Sequence, residues 1–256
     1  MQAEVLSVGT ELLLGQTVNT DTTIVAKALS MLGIDLLYAA VVGDNVKRLE
    51  KAVHDAPERS DILITTGGLG PTGDDLTKET VAAASGKKLV LHEPSYKRLM
   101  EYFARGGLSE NQVKQAMLPE GCTVLQNDNG TAPGCAFRTA AGKIVLMLPG
   151  PPSELEPMLR NYAVPYLAQF QSAVIASHSV HVYGRGEAAV AEMIADLTEN
   201  SNPTAAPYAK EGEMFVRVTA KAATQAEADA LCAPVGEEIR RRVGNFVYGV
   251  DVGSLG

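Results

Sequence analysis

The sequence predicts an α/β protein: a three-layer domain built on a mostly parallel sheet, followed by a second, smaller α+β domain. Three observations predict it. Short apolar runs alternate with stretches whose apolar residues recur every three or four positions. The runs end in glycine or another turn-forming residue. Beyond a boundary near residues 168 to 174 the order changes to β-α-β-β-α-β. The domains are therefore placed at 1–170 and 171–256, both of ordinary size.

In chain order, Ala3 to Val8 reads as a buried strand. Asn19 to Leu32 reads as a helix, with Ile24, Val25, Ala28, Leu29 and Leu32 on one face and Gly33 as its stop. Ile34 to Val42 is the next strand, and Asn45 caps a helix that turns Leu49, Ala52 and Val53 inward. Asp61 to Thr65 is a third strand, followed by a glycine-rich loop and a helix from near Asp75 to Gly86. Residues 90 to 140 are less regular, with a helical stretch at Pro94 to Arg105 and a loop at Asn127 to Gly134. Lys143 to Leu148 is a strand, and Pro152 opens a helix, a position where its missing N–H costs nothing. In the small domain, Val180 to Tyr183, Ala205 to Tyr208, Met214 to Thr219 and Phe246 to Tyr248 read as strands. Glu187 to Thr198 and Thr224 to Val243 read as helices.

Composition narrows the function. Of 256 residues, 46% are hydrophobic and 20% charged, as in an ordinary globular chain. The net charge of −8 speaks against a nucleic-acid partner, because phosphate binding needs a basic footprint. The densest basic run, Arg240 to Arg242, reads as a solvated helix end. The cysteines Cys122, Cys135 and Cys232 are odd in number and lack C-x-x-C spacing, so they read as reduced, inward-facing thiols. No apolar run approaches a membrane span and no basic leader precedes one, so a cytoplasmic location without a membrane partner is expected. The four histidines have no metal-ligand company.

Ligands of an open parallel sheet bind outside the carboxyl ends of its strands. Strand one is followed by Gly9, Thr10 and Glu11, and strand two by Gly43, Asp44 and Asn45. Strand three is followed by Gly67 to Asp75, and the late strand by Pro149, Gly150, Pro151, Pro152, Ser153 and Glu154. Each end supplies turn residues and a carboxylate, and parallel connectivity sets them on one rim.

The loop after strand three is the most informative. Gly68, Gly70 and Gly73 satisfy G-x-G-x-x-G between a strand and a helix, with Asp74 and Asp75 where a P-loop carries Lys and Ser or Thr. Glycines let backbone N–H groups approach a phosphate. Two aspartates beside it would repel it by about 4 kcal/mol each at ~4 Å and an effective dielectric near 20. A divalent ion, Mg²⁺ or another, removes the conflict. The candidate metal ligands are Glu11, Asp44 and Asp74. Gly9, Thr10, Gly67, Gly68, Gly70, Thr72, Gly73, Lys78 and Gly150 are candidates to hold a nucleotide substrate. Asp74, Asp75 and Lys210 are the candidate catalytic groups, Lys210 only if the small domain reaches the rim. Plainer readings stand beside these. One aspartate caps the next helix, Thr10 and Thr72 hold turns, Glu154 is a helix-dipole charge, and Lys78 and Lys210 are solvated lysines.

Several segments resemble the CinA (competence/damage-inducible) family. They are Gly9 to Gly15, Gly67 to Asp75, Gly130 to Gly134, Leu148 to Glu154 and, in the small domain, Ala206 to Glu213. The first two are shared with molybdopterin-binding and molybdenum-cofactor biosynthesis domains. Leu148 to Pro152 is more specific. The resemblance implies a molybdopterin-binding-like first domain, a KH-type second domain and a homodimer. It also implies metal-dependent hydrolysis of ADP-ribose to AMP and ribose 5-phosphate. Full-length members carry a nicotinamide mononucleotide deamidase domain, which would begin just beyond Gly256, so that activity is not assigned to this chain. Two departures stand out: Asp21 where the family often has Asn, and Gly184 to Glu187 in place of the G-x-x-G loop that clamps nucleic acid. The alternatives to hydrolysis are a molybdopterin-binding or adenylyl-transfer domain, and a non-catalytic module of competence or repair.

Overall fold

The computed structural model describes residues 1–104, 106–170, 173–210 and 212–253. The chain divides into two units, Met1–Phe170 and Gln171–Gly256, each with its own core.

In the larger unit the elements run β1 (Gln2–Val8), α1 (Thr10–Leu13), α2 (Asp21–Met31), β2 (Asp35–Val42), α3 (Val46–Arg59), β3 (Ile62–Thr66) and α4 (Thr77–Ala84). They continue through β4 (Leu89–Leu91), α5 (Glu93–Tyr102), α6 (Glu110–Val113), β5 (Met117–Pro119), β6 (Thr123–Leu125), β7 (Gly134–Arg138) and β8 (Ile144–Leu148). Helix α7 (Pro152–Met158) passes through a wider turn at Leu159–Ala163 into α8 (Val164–Ala168). The main sheet has the order β2-β1-β3-β8-β7-β6. β2, β1, β3 and β8 are parallel, and β7 and β6 antiparallel, so the sheet is mostly parallel as expected.

The apolar runs are explained by burial on both faces. Val5, Ile62, Ile64, Leu146 and Leu148 face α2 and α7 on one side. Leu6, Leu63, Val145 and Met147 face Leu49 and Val53 of α3 and Val81 of α4 on the other. Each such aliphatic side chain contributes about 1.5–3 kcal/mol of transfer free energy. Glu4 lies inside β1 yet is buried, and its carboxylate accepts two hydrogen bonds from Arg59 at the end of α3, at 2.9 and 2.5 Å. Asn45 caps α3, accepting from the Arg48 N–H at 3.2 Å.

Two helix boundaries of the larger unit differ from the sequence reading. Helix α4 starts at Thr77, because the Asp75 N–H is used in a turn to the Thr72 carbonyl and the Thr77 N–H goes back to Gly68. Helix α5 ends at Tyr102, and Arg105, given to it from sequence, lies outside the described residues.

The smaller unit holds β9 (Val174–Val182), α9 (Glu187–Met193), α10 (Ala195–Thr198), β10 (Thr204–Lys210), β11 (Glu213–Ala222), α11 (Gln225–Val243) and β12 (Val247–Val250). Its antiparallel sheet has the order β10-β11-β9-β12. A capping box starts α11: Thr224 accepts from the Glu227 N–H while Glu227 accepts from the Thr224 N–H. At its other end Arg240, Arg241 and Arg242 pair with Glu237, Glu238 and Asp196, a charged helix end. Among the described residues, no helix is long and apolar enough to cross a membrane.

Candidate functional site

The carboxyl ends of β1, β3 and β8 open onto a cavity of about 590 Å³. Its wall includes the turns that follow the strands: Gly9 after β1, Gly67 to Pro71 after β3, and Pro149 to Pro152 after β8.

Glycine is required at the floor. Gly67 has φ +89°, and a Cβ there would lie 2.3 Å from the Val8 carbonyl oxygen. Its N–H donates to the Leu148 carbonyl at 3.0 Å, tying β3 to β8. Gly68 has φ +68°, and a Cβ would lie 2.1 Å from the Thr77 hydroxyl. A side chain would meet both a backbone it disfavours and an occupied space. The N–H groups of Gly68, Leu69 and Gly70 have no backbone hydrogen-bond partner among the described residues.

Six carboxylates line the cavity: Glu11, Asp21, Asp44, Asp74, Asp75 and Glu154; among the described residues no lysine or arginine lines it. Several are held in place. Asp75 accepts from the Thr72 N–H at 2.8 Å and from its hydroxyl at 2.5 Å, closing the loop. Lys114 Nζ donates to the Asp75 carbonyl at 2.8 Å. Asp44 accepts from the Thr10 N–H at 2.8 Å and returns its own N–H to the Thr10 hydroxyl at 3.0 Å. This reciprocal pair locks the start of α1 to the end of β2. Asp74 is held below the usual carboxylate range by the proximity of the Thr72 hydroxyl, whose one proton it shares with Asp75, and by its own backbone N–H.

Of the residues singled out in the sequence, Gly9, Glu11, Asp44, Gly67, Gly68, Gly70, Asp74, Asp75 and Gly150 line this cavity. Thr10 and Thr72 do not; they hold Asp44 and Asp75. Gly73 is exposed, with open space where a Cβ would be. Lys78 corrects the expectation of a phosphate-binding or solvated lysine. It is 2% exposed, and its ammonium donates to the carbonyls of Lys114 and Gln115, both at 2.9 Å. Burial pushes its pKa down to about 8. Lys210 ends β10 in the smaller unit, and its side chain lies outside the described residues. Among the described residues, no three His, Cys, Asp or Glu side chains form a ready-made metal cage, so Glu11, Asp44 and Asp74 do not constitute one.

Sequence reasoning gave no role to two residues that line the cavity, Asp21 and Gln115, or to Asn19 and Asn127, which are outside its lining. Asp21 is 8% exposed at the start of α2, and burial raises its pKa, opposed by a hydrogen bond from Thr66 and assisted by the charge of Glu11. Beside it Asn19 Nδ2 donates to Ser7 Oγ at 3.0 Å. Gln115 is 1% exposed at the cavity wall, and its Oε1 has no hydrogen-bond partner among the described residues. Asn127 is buried and donates to Glu154 Oε2 at 2.6 Å and to the Ala132 carbonyl at 2.9 Å. It thereby fixes Glu154 against Gly130, where a Cβ would lie 2.3 Å from Oε2. Glu154 was legible as a rim carboxylate after the late strand, whereas Asp21 was legible only as an acid at a helix start, a pattern that capping alone produces.

Residues 4–169 match the family described as a probable molybdopterin binding domain, and residues 177–249 match the damage-inducible protein CinA KH domain. The chain belongs to the CinA family. A CinA-like protein of Desulfovibrio desulfuricans is 55% identical over 255 residues, which is 100% of this chain and 60% of that protein. A putative competence-damage inducible protein of Clostridium acetobutylicum is 49% identical over 258 residues, 100% of this chain and 62% of its own length. The chain therefore spans about 60% of these CinA relatives. The crystal structure of a CinA of unknown function from Thermoplasma acidophilum is 34% identical, with a TM-score of 0.60, and the match covers 65% of this chain and 97% of that one.

The match corrects the expectation of ADP-ribose hydrolysis. The unit given that chemistry is of the molybdopterin-binding type, which favours the alternative reading. The geometry agrees with the correction: Asp44 and Asp75, assigned to metal and water, are engaged in holding turns.

Proposed function

We propose that the larger unit of this CinA-family chain binds a phosphorylated pterin of the molybdopterin type together with a divalent cation. One observation carries the reading: a glycine-floored cavity at the strand ends has loop N–H groups without backbone partners and, among the described residues, six carboxylates with no cationic side chain lining it. The N–H groups of Gly68, Leu69 and Gly70 suit phosphate oxygens, as at other glycine loops. A phosphate entering alone would face the field of the carboxylates, so a cation must accompany it. Mg²⁺ takes one or two carboxylates and completes its shell with phosphate oxygens and water, and so needs no three-carboxylate cage. Glu11 and Asp74 are the carboxylates for that role, since Asp44 and Asp75 are tied into turns. The cation would neutralise charge on the phosphate. The protein's share is to orient the ligand and hold water away from it.

Calorimetric titration of the purified chain with neopterin monophosphate tests the proposal. Binding is expected with MgCl₂, weakening tenfold or more with EDTA or in Glu11→Gln/Asp74→Asn. Absence of binding at millimolar ligand, with or without Mg²⁺, would sink it.

A further inference from the structure

The cavity is rich in acceptors and poor in side-chain donors. Besides its six carboxylates, it presents Gln115, buried to 1% exposure, with an amide oxygen that has no partner among the described residues. That oxygen is enclosed by the protein, and a buried acceptor left unpaired costs about 1–3 kcal/mol.

Among the carboxylates, Glu154 is held by a buried amide. Asn127 is 3% exposed and spends its amide N–H groups on Glu154 Oε2 and the Ala132 carbonyl. Its own Oδ1 accepts from the Asn129 N–H at 3.2 Å, and Arg98 donates to its main-chain carbonyl at 2.5 Å. The amide is therefore locked, and Gly130 leaves the space in which the carboxylate rests. A carboxylate has about four lone-pair sites, and Asn127 occupies one. Flat apolar wall is supplied nearby by Pro151, Pro152 and Leu69.

We propose that Glu154 is a specificity-determining residue, positioned by Asn127, which accepts two adjacent N–H groups of a 2-amino-4-oxopyrimidine edge. This rests on the pterin reading above but reaches beyond it, since guanine carries the same pair of donors. A planar ring between apolar walls, with its amidine edge on a fixed carboxylate, satisfies the acceptor-rich surface. Adenine lacks that pair of donors, and hypoxanthine lacks the 2-amino group. A site built to hydrogen-bond a donor rejects the analogue without it strongly, because its own group is left unpaired.

The test is calorimetric titration of the full chain, with MgCl₂, using GMP, IMP, AMP and neopterin monophosphate. The parent is expected to bind GMP at least tenfold more tightly than IMP or AMP. Glu154→Gln, with unchanged circular dichroism, is expected to bring the GMP-to-IMP ratio close to one. Asn127→Ser is expected to lower that ratio without abolishing IMP binding, an effect that general unfolding would not produce. Equal affinity of the parent for GMP and IMP overturns the inference without any variant being needed. So does a ratio unchanged in Glu154→Gln. If neopterin monophosphate binds but selectivity ignores Glu154, the edge assignment fails and the pterin reading stands. If GMP is selected through Glu154 but neopterin monophosphate does not bind, the pterin reading fails and the edge assignment stands. Absence of binding by all four overturns both.

Discussion

Gly67 carries a φ of +89° directly beneath the Val8 carbonyl, so the tightest constraint on the cavity is a missing atom. Gly67→Ala is expected to cost about 1–3 kcal/mol, lowering the melting temperature by roughly 2–12 °C, and to weaken ligand binding as the floor shifts. Thermal unfolding followed by circular dichroism checks it. Lys78 offers a second prediction. Its pKa falls from 10.5 in an open chain to about 8 when folded, chiefly through burial. The unfolded chain then holds more protons between pH 8 and 10.5, so stability rises with pH across that window. Below pH 8 both states are protonated and the full penalty, about 3 kcal/mol, is present. Urea midpoints of the parent should climb between pH 8 and 10 relative to Lys78→Met; a constant difference would refute the assignment. The sequence could not reveal this lysine. Helix periodicity marks apolar faces, and a long polar chain reaching carbonyls 36 and 37 residues away leaves no local signal.

At the scale of elements, β1, β2, β3 and β8 were readable because parallel strands with two covered faces appear as unbroken apolar runs. β6 and β7 were not. β6 has three residues, and β7 opens on Gly134, whose role is to let Met158 and the Met147 carbonyl approach. Neither length nor composition signals a strand there. In the smaller unit, β9 begins six residues before the sequence suggested, and its early part carries His178. His178 bridges Asp251 at 2.7 Å and Asp229 of α11 at 3.0 Å, and these bonds raise its pKa above the usual 6.5. The protonated ring is therefore favoured by folding. Its contribution is complete below pH 6.5 and is lost as pH rises through the folded value. Hydrogen exchange of β9 and β12 should quicken from pH 6 to 8 in the parent and change less in His178→Gln. Equal acceleration in both would refute the link.

On the scale of the whole molecule, two separate cores predict two separable folding units. Residues 1–170 expressed alone should unfold cooperatively, with a melting temperature within a few degrees of its transition in the full chain. A non-cooperative melt would refute this. The change of pattern near residue 170 was legible because alternation of strand and helix gives way to paired strands. The rim of carboxylates was legible from the residues after each strand, whereas the groups that position them were not. Asn127 and Gln115 are distant in sequence from what they serve, and only the chain's path brings Asn127 to Glu154 and Gln115 to the cavity wall. The cavity floor has a bearing on how such a domain diversifies. Amide hydrogens belong to every residue but proline, so point mutation seldom deletes them, and the phosphate seat persists while the acidic margin is redrawn one codon at a time. New ligands can be admitted through that margin without rebuilding the seat beneath.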